Sequence, residues 1–169
     1  MSLKGKREEC KGLISNNELK RDVVKKIAGS LVDIKSHGFS KPIVNRGDWT
    51  TTITCMLKNI ALEVEIDWKE SVVFMLIVRL ENGNLSKGYY MSEGQPCRYH
   101  LQKVIRDRKW SVDQDALALI SPGSKSKRQN THRSGETILD TYFAYKRVLD
   151  SCLDKLVDER DTIFNVKFA

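Results

Sequence analysis

The sequence predicts a single α+β domain: an antiparallel sheet of about four strands over residues 50–91, flanked by an N-terminal helix and two to three C-terminal helices. Three observations carry that expectation. IALEVEID (60–67) alternates apolar and acidic residues with a period of two, the pattern of a half-buried strand. SVVFMLIVRL (71–80) is apolar on both faces for most of its length, as a central strand covered on two sides should be. Ile138, Tyr142, Tyr145, Leu149, Cys152 and Leu156 recur at spacings of 4, 3, 4, 3 and 4, the most regular helical stripe in the chain.

The elements follow in order. In SNNELK, Ser15 and Glu18 have the spacing of a capping box, so a helix should open there. Val24, Ile27, Leu31 and Ile34 supply its apolar stripe, and Gly38 can close it in the left-handed conformation. FSKPIVNRGDW (39–49) reads as a connector. TTITCML (51–57) is rich in β-branched residues and predicts the first strand. WKE (68–70) makes a hairpin connection, Asn82-Gly83 favours a tight reversal, and KGYYM (87–91) reads as the next strand, with one tyrosine ring facing in and one out. Pro96 suits the first turn of a helix carrying Cys97, Leu101, Val104 and Ile105. SVDQDALALI (111–120) repeats the capping spacing at Ser111 and Gln114 and should end before Pro122. A long helix is expected from Thr137, and TIFNVKFA (162–169) suggests a short terminal strand.

Composition bounds the function. The 169 residues suffice for one core, and the formal charge is +7. That excess falls in two blocks: residues 1–48 and 97–136 carry +5 each, against −2 for 49–96 and −1 for 137–169. Such a field steers an acidic partner without naming it. The longest apolar run, Val72–Val78, is too short to span a bilayer, and MSLKGKREEC offers no core for a signal peptide. The expectation is a cytoplasmic protein with no membrane partner. Cys10, Cys55, Cys97 and Cys152 are scattered, without zinc-ligand spacing, and are expected to be free and mostly buried.

The candidates for chemistry are few. Glu63, Glu65 and Asp67 share one face of a strand, and acidic groups on adjacent strands can hold Mg²⁺ beside a scissile phosphate. No lysine within the next strand completes such a site, and a solvated polar face is the plainer expectation. Cys97 and His100 have i, i+3 spacing for a thiol–imidazole pair, but a buried thiol beside a polar neighbour is the expected reading. There is no glycine-rich nucleotide loop, and no cofactor is expected.

Basic residues give the fuller pattern. On the helix expected from Pro96, Arg98, Gln102, Arg106 and Lys109 share a face, with Lys103 and Arg108 beside it. The stretch SPGSKSKRQNTHRSGE (121–136) has no aliphatic or aromatic side chain and reads as a mobile basic loop. If helix and loop lie side by side, Arg98, Lys103, Arg106, Lys109, Lys125, Lys127, Arg128 and Arg133 form one positive surface. The leading expectation is a non-enzymatic intracellular binding protein, an inhibitor, immunity-type protein or assembly factor, that captures an acidic macromolecular partner. The alternatives are a nucleic-acid-binding protein gripping phosphates with the same helix and loop, and a Mg²⁺-dependent nuclease using Glu63, Glu65 and Asp67.

Overall fold

A computed structural model describes residues 17–121 and 134–165. It is built on a sheet of six antiparallel strands, β1 (Ile43–Arg46), β2 (Thr50–Met56), β3 (Ile60–Asp67), β4 (Val72–Glu81), β5 (Asn84–Leu85) and β8 (Arg98–His100). Strands β1 to β5 follow one another across it, and β8 returns to pair with β4. A separate small hairpin joins β6 (Met91–Ser92) to β7 (Gln95–Pro96). The helices are α1 (residues 17–30), α2 (Leu101–Arg108), α3 (Gln114–Ile120) and α4 (Ser134–Asp158).

The α+β class and the antiparallel sheet with N- and C-terminal helices are therefore as the sequence predicts. Hydrophobic alternation in β2 and β3 defines the core face of the sheet, while the centre of β4 is buried on both faces, as its apolar run predicts. Ile53 and Cys55 on β2, Ile60, Leu62, Val64 and Ile66 on β3, and Val73, Met75 and Ile77 on β4 share one face and belong to a single core cluster. That cluster takes in Val24, Ile27, Leu31 and Ile34 from the N-terminal helical region and Ile138, Tyr142, Tyr145, Leu149, Cys152 and Leu156 from α4. Every member of the predicted α4 stripe is buried. The opposite face carries the part-exposed Glu65 and Asp67 together with the buried Ala61, Glu63, Leu76 and Val78.

Tight turns set the register. Asn82 and Gly83 both have positive φ, 53° and 81°, so Glu81 pairs directly with Asn84. Gly38, at φ 99°, closes the first helical region as expected, its N–H donating to the Lys35 carbonyl at 3.0 Å. That region narrows to a 3₁₀ helix over Leu31–His37, which keeps Leu31 and Ile34 inward.

Several expectations change. The connector 39–49 contains β1, an edge strand whose four residues are all exposed, so no burial pattern announced it. KGYYM is not a strand: 87–90 is irregular and only Met91 enters β6. Tyr89 and Tyr90 are both exposed rather than one in and one out. Pro96 ends β7 instead of starting a helix, on a two-residue hairpin edge where a missing N–H is tolerated. The helix begins five residues later, at Leu101, so Cys97 and Arg98 are not on it. Asp113, not Ser111, caps α3, accepting from the Ala116 N–H at 3.0 Å. Helix α4 starts at Ser134, inside the stretch read as loop. Residues 162–165 form turns rather than a strand. Ser15 of the capping box, Cys10, and 122–133 of the basic loop lie outside the described residues. No described helix is long and apolar enough to cross a membrane.

Three polar links fasten the first helical region to α4, one of them between His37 Nε2 and Asp154 Oδ1 at 3.3 Å. Ser30 Oγ and Tyr142 Oη lie 2.6 Å apart, and the buried Lys146 ammonium donates to Asp33 at 2.8 Å and Asp150 at 2.6 Å.

Candidate functional site

The second face of the sheet, open around Glu65 and Asp67, gathers ionisable side chains from two strands, β3 and β8, and one irregular segment. Register dictates the arrangement. Thr54 lies opposite Glu63 and Thr52 opposite Glu65 on one side; Leu76 and Phe74 lie opposite the same carboxylates on the other. Leu76 pairs in turn with His100 and Val78 with Arg98. Directly opposed residues share a face, so Arg98 and His100 join the two glutamates there.

Arg98 and Glu63 form the centre. Arg98 Nε donates to Glu63 Oε1 at 3.0 Å and Nη2 donates to Oε2 at 2.9 Å, a bidentate fork. Their side chains are only 9% and 4% exposed. Glu63 is thus not the solvated carboxylate its alternation suggested, and Arg98 presents no free charge to a partner. The cover comes from residues 88–90. Arg98 Nη1 donates to the carbonyls of Tyr89 at 2.9 Å and Gly88 at 3.3 Å, and the guanidinium lies 4.8 Å from the Tyr89 ring centre.

The tyrosines then close the remaining acceptors. Tyr89 Oη donates to Glu65 Oε2, and Tyr90 Oη lies 2.9 Å from His100 Nε2. Burial, then the hydrogen bond and charge of Glu65, push the Tyr89 phenol far above its ordinary range. His100 packs edge-on to Phe74 with ring centres 5.4 Å apart. Asp67 caps the β3–β4 turn, accepting from the Glu70 N–H at 3.0 Å. Glu63, Glu65 and Asp67 therefore each have a structural partner, and no group of three His, Cys, Asp or Glu placed to hold a metal ion occurs among the described residues.

Cys97 and His100 do not meet as a thiol–imidazole pair. The Cys97 thiol donates to the Gly88 and Tyr89 carbonyls at 3.3 and 3.2 Å, and burial raises its pKa. Burial likewise raises the Cys55 thiol to about 11 and the Cys152 thiol to about 12. Burial thus disfavours the reactive thiolate at all three.

Gly88 is the steric key to the segment. A Cβ there would sit 1.6 Å from the Met91 carbonyl oxygen. Gly88→Ala is expected to cost about 1–3 kcal/mol by forcing 88–91 away from the sheet. Urea unfolding measures that cost, and enhanced solvent quenching of the tyrosines reports the displacement. Unchanged stability and quenching would mean that the turn relaxes freely.

His100 adds a pH dependence. Burial depresses its pKa below the ordinary 6.5, with Glu65 opposing the shift. The unfolded chain then binds a proton that the folded one resists. This contribution is complete above about 6.5 and is lost as pH falls through the lower folded value. The urea midpoint of His100→Asn should therefore change less between neutral pH and about pH 5 than that of the wild type. Equal changes would assign the acid sensitivity elsewhere.

The basic residues are dispersed. Lys103 donates to Asp107 at 2.6 Å, and Arg108 is held by Glu159 and Thr162 at 2.8 and 2.9 Å. Gln102 turns inward to Tyr145 Oη and the Ile120 carbonyl. Arg106 is 75% exposed, although Asp107 lies 3.7 Å away, and Lys109 caps α2 in the left-handed conformation. Lys125, Lys127, Arg128 and Arg133 lie outside the described residues. The glutamate–arginine–tyrosine cluster escaped sequence reasoning because its members stand 35 and 24 positions apart, beyond any local spacing rule. Comparisons with family models, with curated proteins and with solved structures find no match to this chain.

Proposed function

We propose that the protein is a non-enzymatic binding protein that captures an acidic macromolecular partner, in the manner of an inhibitor, an immunity-type protein or an assembly factor. The observation that carries this reading is a partition of charge. Residues 17–121 and 134–165 hold 20 Lys or Arg against 20 Asp or Glu. The stretches 1–16, 122–133 and 166–169 hold nine against two, which is the whole of the +7. Balanced charges contribute little to steering; a stretch with an unbalanced excess contributes most.

The ordered surface is consistent with binding. Trp49, 66% exposed, and the exposed Tyr89, Tyr90 and Met91 offer the aromatic and flexible apolar contacts that anchor interfaces. The open-face carboxylates are committed to Arg98, Tyr89 and a turn N–H, which favours recognition over chemistry. We place the protein in the cytoplasm, where its buried thiols would stay reduced.

The test is fluorescence anisotropy with labelled polyglutamate and with labelled single-stranded and duplex DNA and RNA, from low to physiological salt and with Mg²⁺ present. Preferential capture of the acidic polypeptide, weakened in a Lys125→Gln, Lys127→Gln, Arg128→Gln variant, is the expected result. Exposed Tyr89 and Tyr90, with ring centres 4.5 Å apart, favour nucleic acid as a second reading because unpaired bases stack on such rings. That reading predicts binding of single strands at physiological salt and a flatter salt slope in the same variant. Cleavage of a probe with Mg²⁺, lost in a Glu65→Gln, Asp67→Asn variant, would overturn both.

A further inference from the structure

At the end of the sheet remote from Trp49, a cavity of about 530 Å³ is lined by Asn59, Arg79, Leu80, Gln95, Arg160, Asp161, Phe164 and Asn165. Its size suits a small organic molecule. Its walls combine two guanidiniums, three side-chain amides and one carboxylate with two apolar surfaces. The carboxylate is already engaged, since Asp161 Oδ1 accepts from Asn59 Nδ2.

The two arginines are incompletely satisfied. Arg79 Nη2 donates to Glu81 Oε1 at 2.9 Å, yet Arg79 Nε is buried without an acceptor. Arg160 Nη1 donates to the Val157 carbonyl at 2.8 Å, and Arg160 Nε is also buried without an acceptor. Arg160 makes no ion pair among the described residues. A buried N–H lacking a partner is costly to the fold, and nearly all such groups find one. Only three side-chain atoms among the described residues are in this condition, and two of them are the Nε atoms of Arg79 and Arg160, residues that line the same cavity.

We propose that this cavity binds a small organic acid, whose oxyanion head, carboxylate or phosphate, sits between Arg79 and Arg160. A modest turn of each guanidinium plane offers Nε–H and one Nη–H side by side, the fork that matches two oxygens of such a head. Glu81 already balances Arg79, so Arg160 is the cationic group whose charge the head would meet. Leu80 and Phe164 receive the apolar body, and Gln95 and Asn165 supply amides for its polar substituents. Phe164 is held for this by its stack on Tyr99, with ring centres 4.9 Å apart and planes 4° from parallel. The cavity lies apart from the open-face cluster and does not depend on the 122–133 stretch, so this proposal stands or falls independently of the binding function above.

The experiment is a titration of the ¹⁵N-labelled full chain, following arginine Nε–H resonances assigned with Arg79→Lys and Arg160→Lys. Acetate and inorganic phosphate are the probes, with chloride at matched ionic strength as control. Saturable shifts of both Nε–H signals with a shared midpoint for at least one probe, absent with chloride, are expected. Each lysine variant keeps its charge but loses the fork, and should weaken binding by about tenfold or more. Shifts that follow ionic strength alone, or saturable shifts that leave both Nε–H signals unmoved, would overturn the proposal and leave ordered water as the partner of these groups. The wild-type titration is decisive even if a variant fails to fold.

Discussion

Arg98→Met is expected to destabilise the fold by about 3–5 kcal/mol, because it leaves the Glu63 carboxylate buried without its counter-charge. The urea midpoint at neutral pH measures the loss. The same substitution removes the donor to the Gly88 and Tyr89 carbonyls and frees the segment that covers the open face. Combining it with Glu63→Leu should recover most of the stability, since replacing both members of a buried pair removes the unmet charge. Recovery should stop short of the wild type, because the two carbonyls still lack Arg98. A loss below about 1 kcal/mol for Arg98→Met alone would mean that water reaches Glu63 and that the pair behaves as a surface contact.

The second large effect is expected at Tyr142. Its ring is fully buried in the core between α1 and α4, and its hydroxyl meets Ser30. Tyr142→Ala should cost about 3–5 kcal/mol through the cavity it opens. Tyr142→Phe should cost only about 1 kcal/mol, the net worth of one neutral hydrogen bond. Ser30 Oγ would still donate to the Ile27 carbonyl at 2.8 Å, so its own proton keeps an acceptor. If the phenylalanine variant lost as much as the alanine variant, the hydroxyl rather than the ring would hold the two helices together. Denaturant unfolding of both variants, followed by circular dichroism, separates these cases.

The sequence was most legible where burial imposes a period. Alternation in β3 placed Leu62, Val64 and Ile66 on the core face, and the α4 stripe from Ile138 to Leu156 was readable residue by residue. Strand β1 was invisible for the opposite reason: with Ile43 to Arg46 all exposed, pairing to β2 is its only structural reward, and pairing leaves no trace in composition. Pro96 misled because a proline without an N–H partner fits a hairpin edge as well as a first helical turn. Ser111 lost the cap to Asp113, whose carboxylate also meets Arg147 at 2.9 Å. The Glu63–Arg98 pair was beyond reach because sheet register, not sequence distance, brings the two together.

The link between the first and last helices bears on how the chain is made. Ser30 and Tyr142 are 112 residues apart, and Asp33 and Lys146 are 113 apart. The strands between them close through short local turns and can pair as they emerge from the ribosome. Helix α1 can lean on that young sheet, but its far side stays uncovered until α4 arrives, roughly ten seconds later at ordinary rates of synthesis. During that interval the nascent chain exposes the apolar stripe of its first helix to everything around it, and a pause before codon 134 would lengthen its dependence on chaperones.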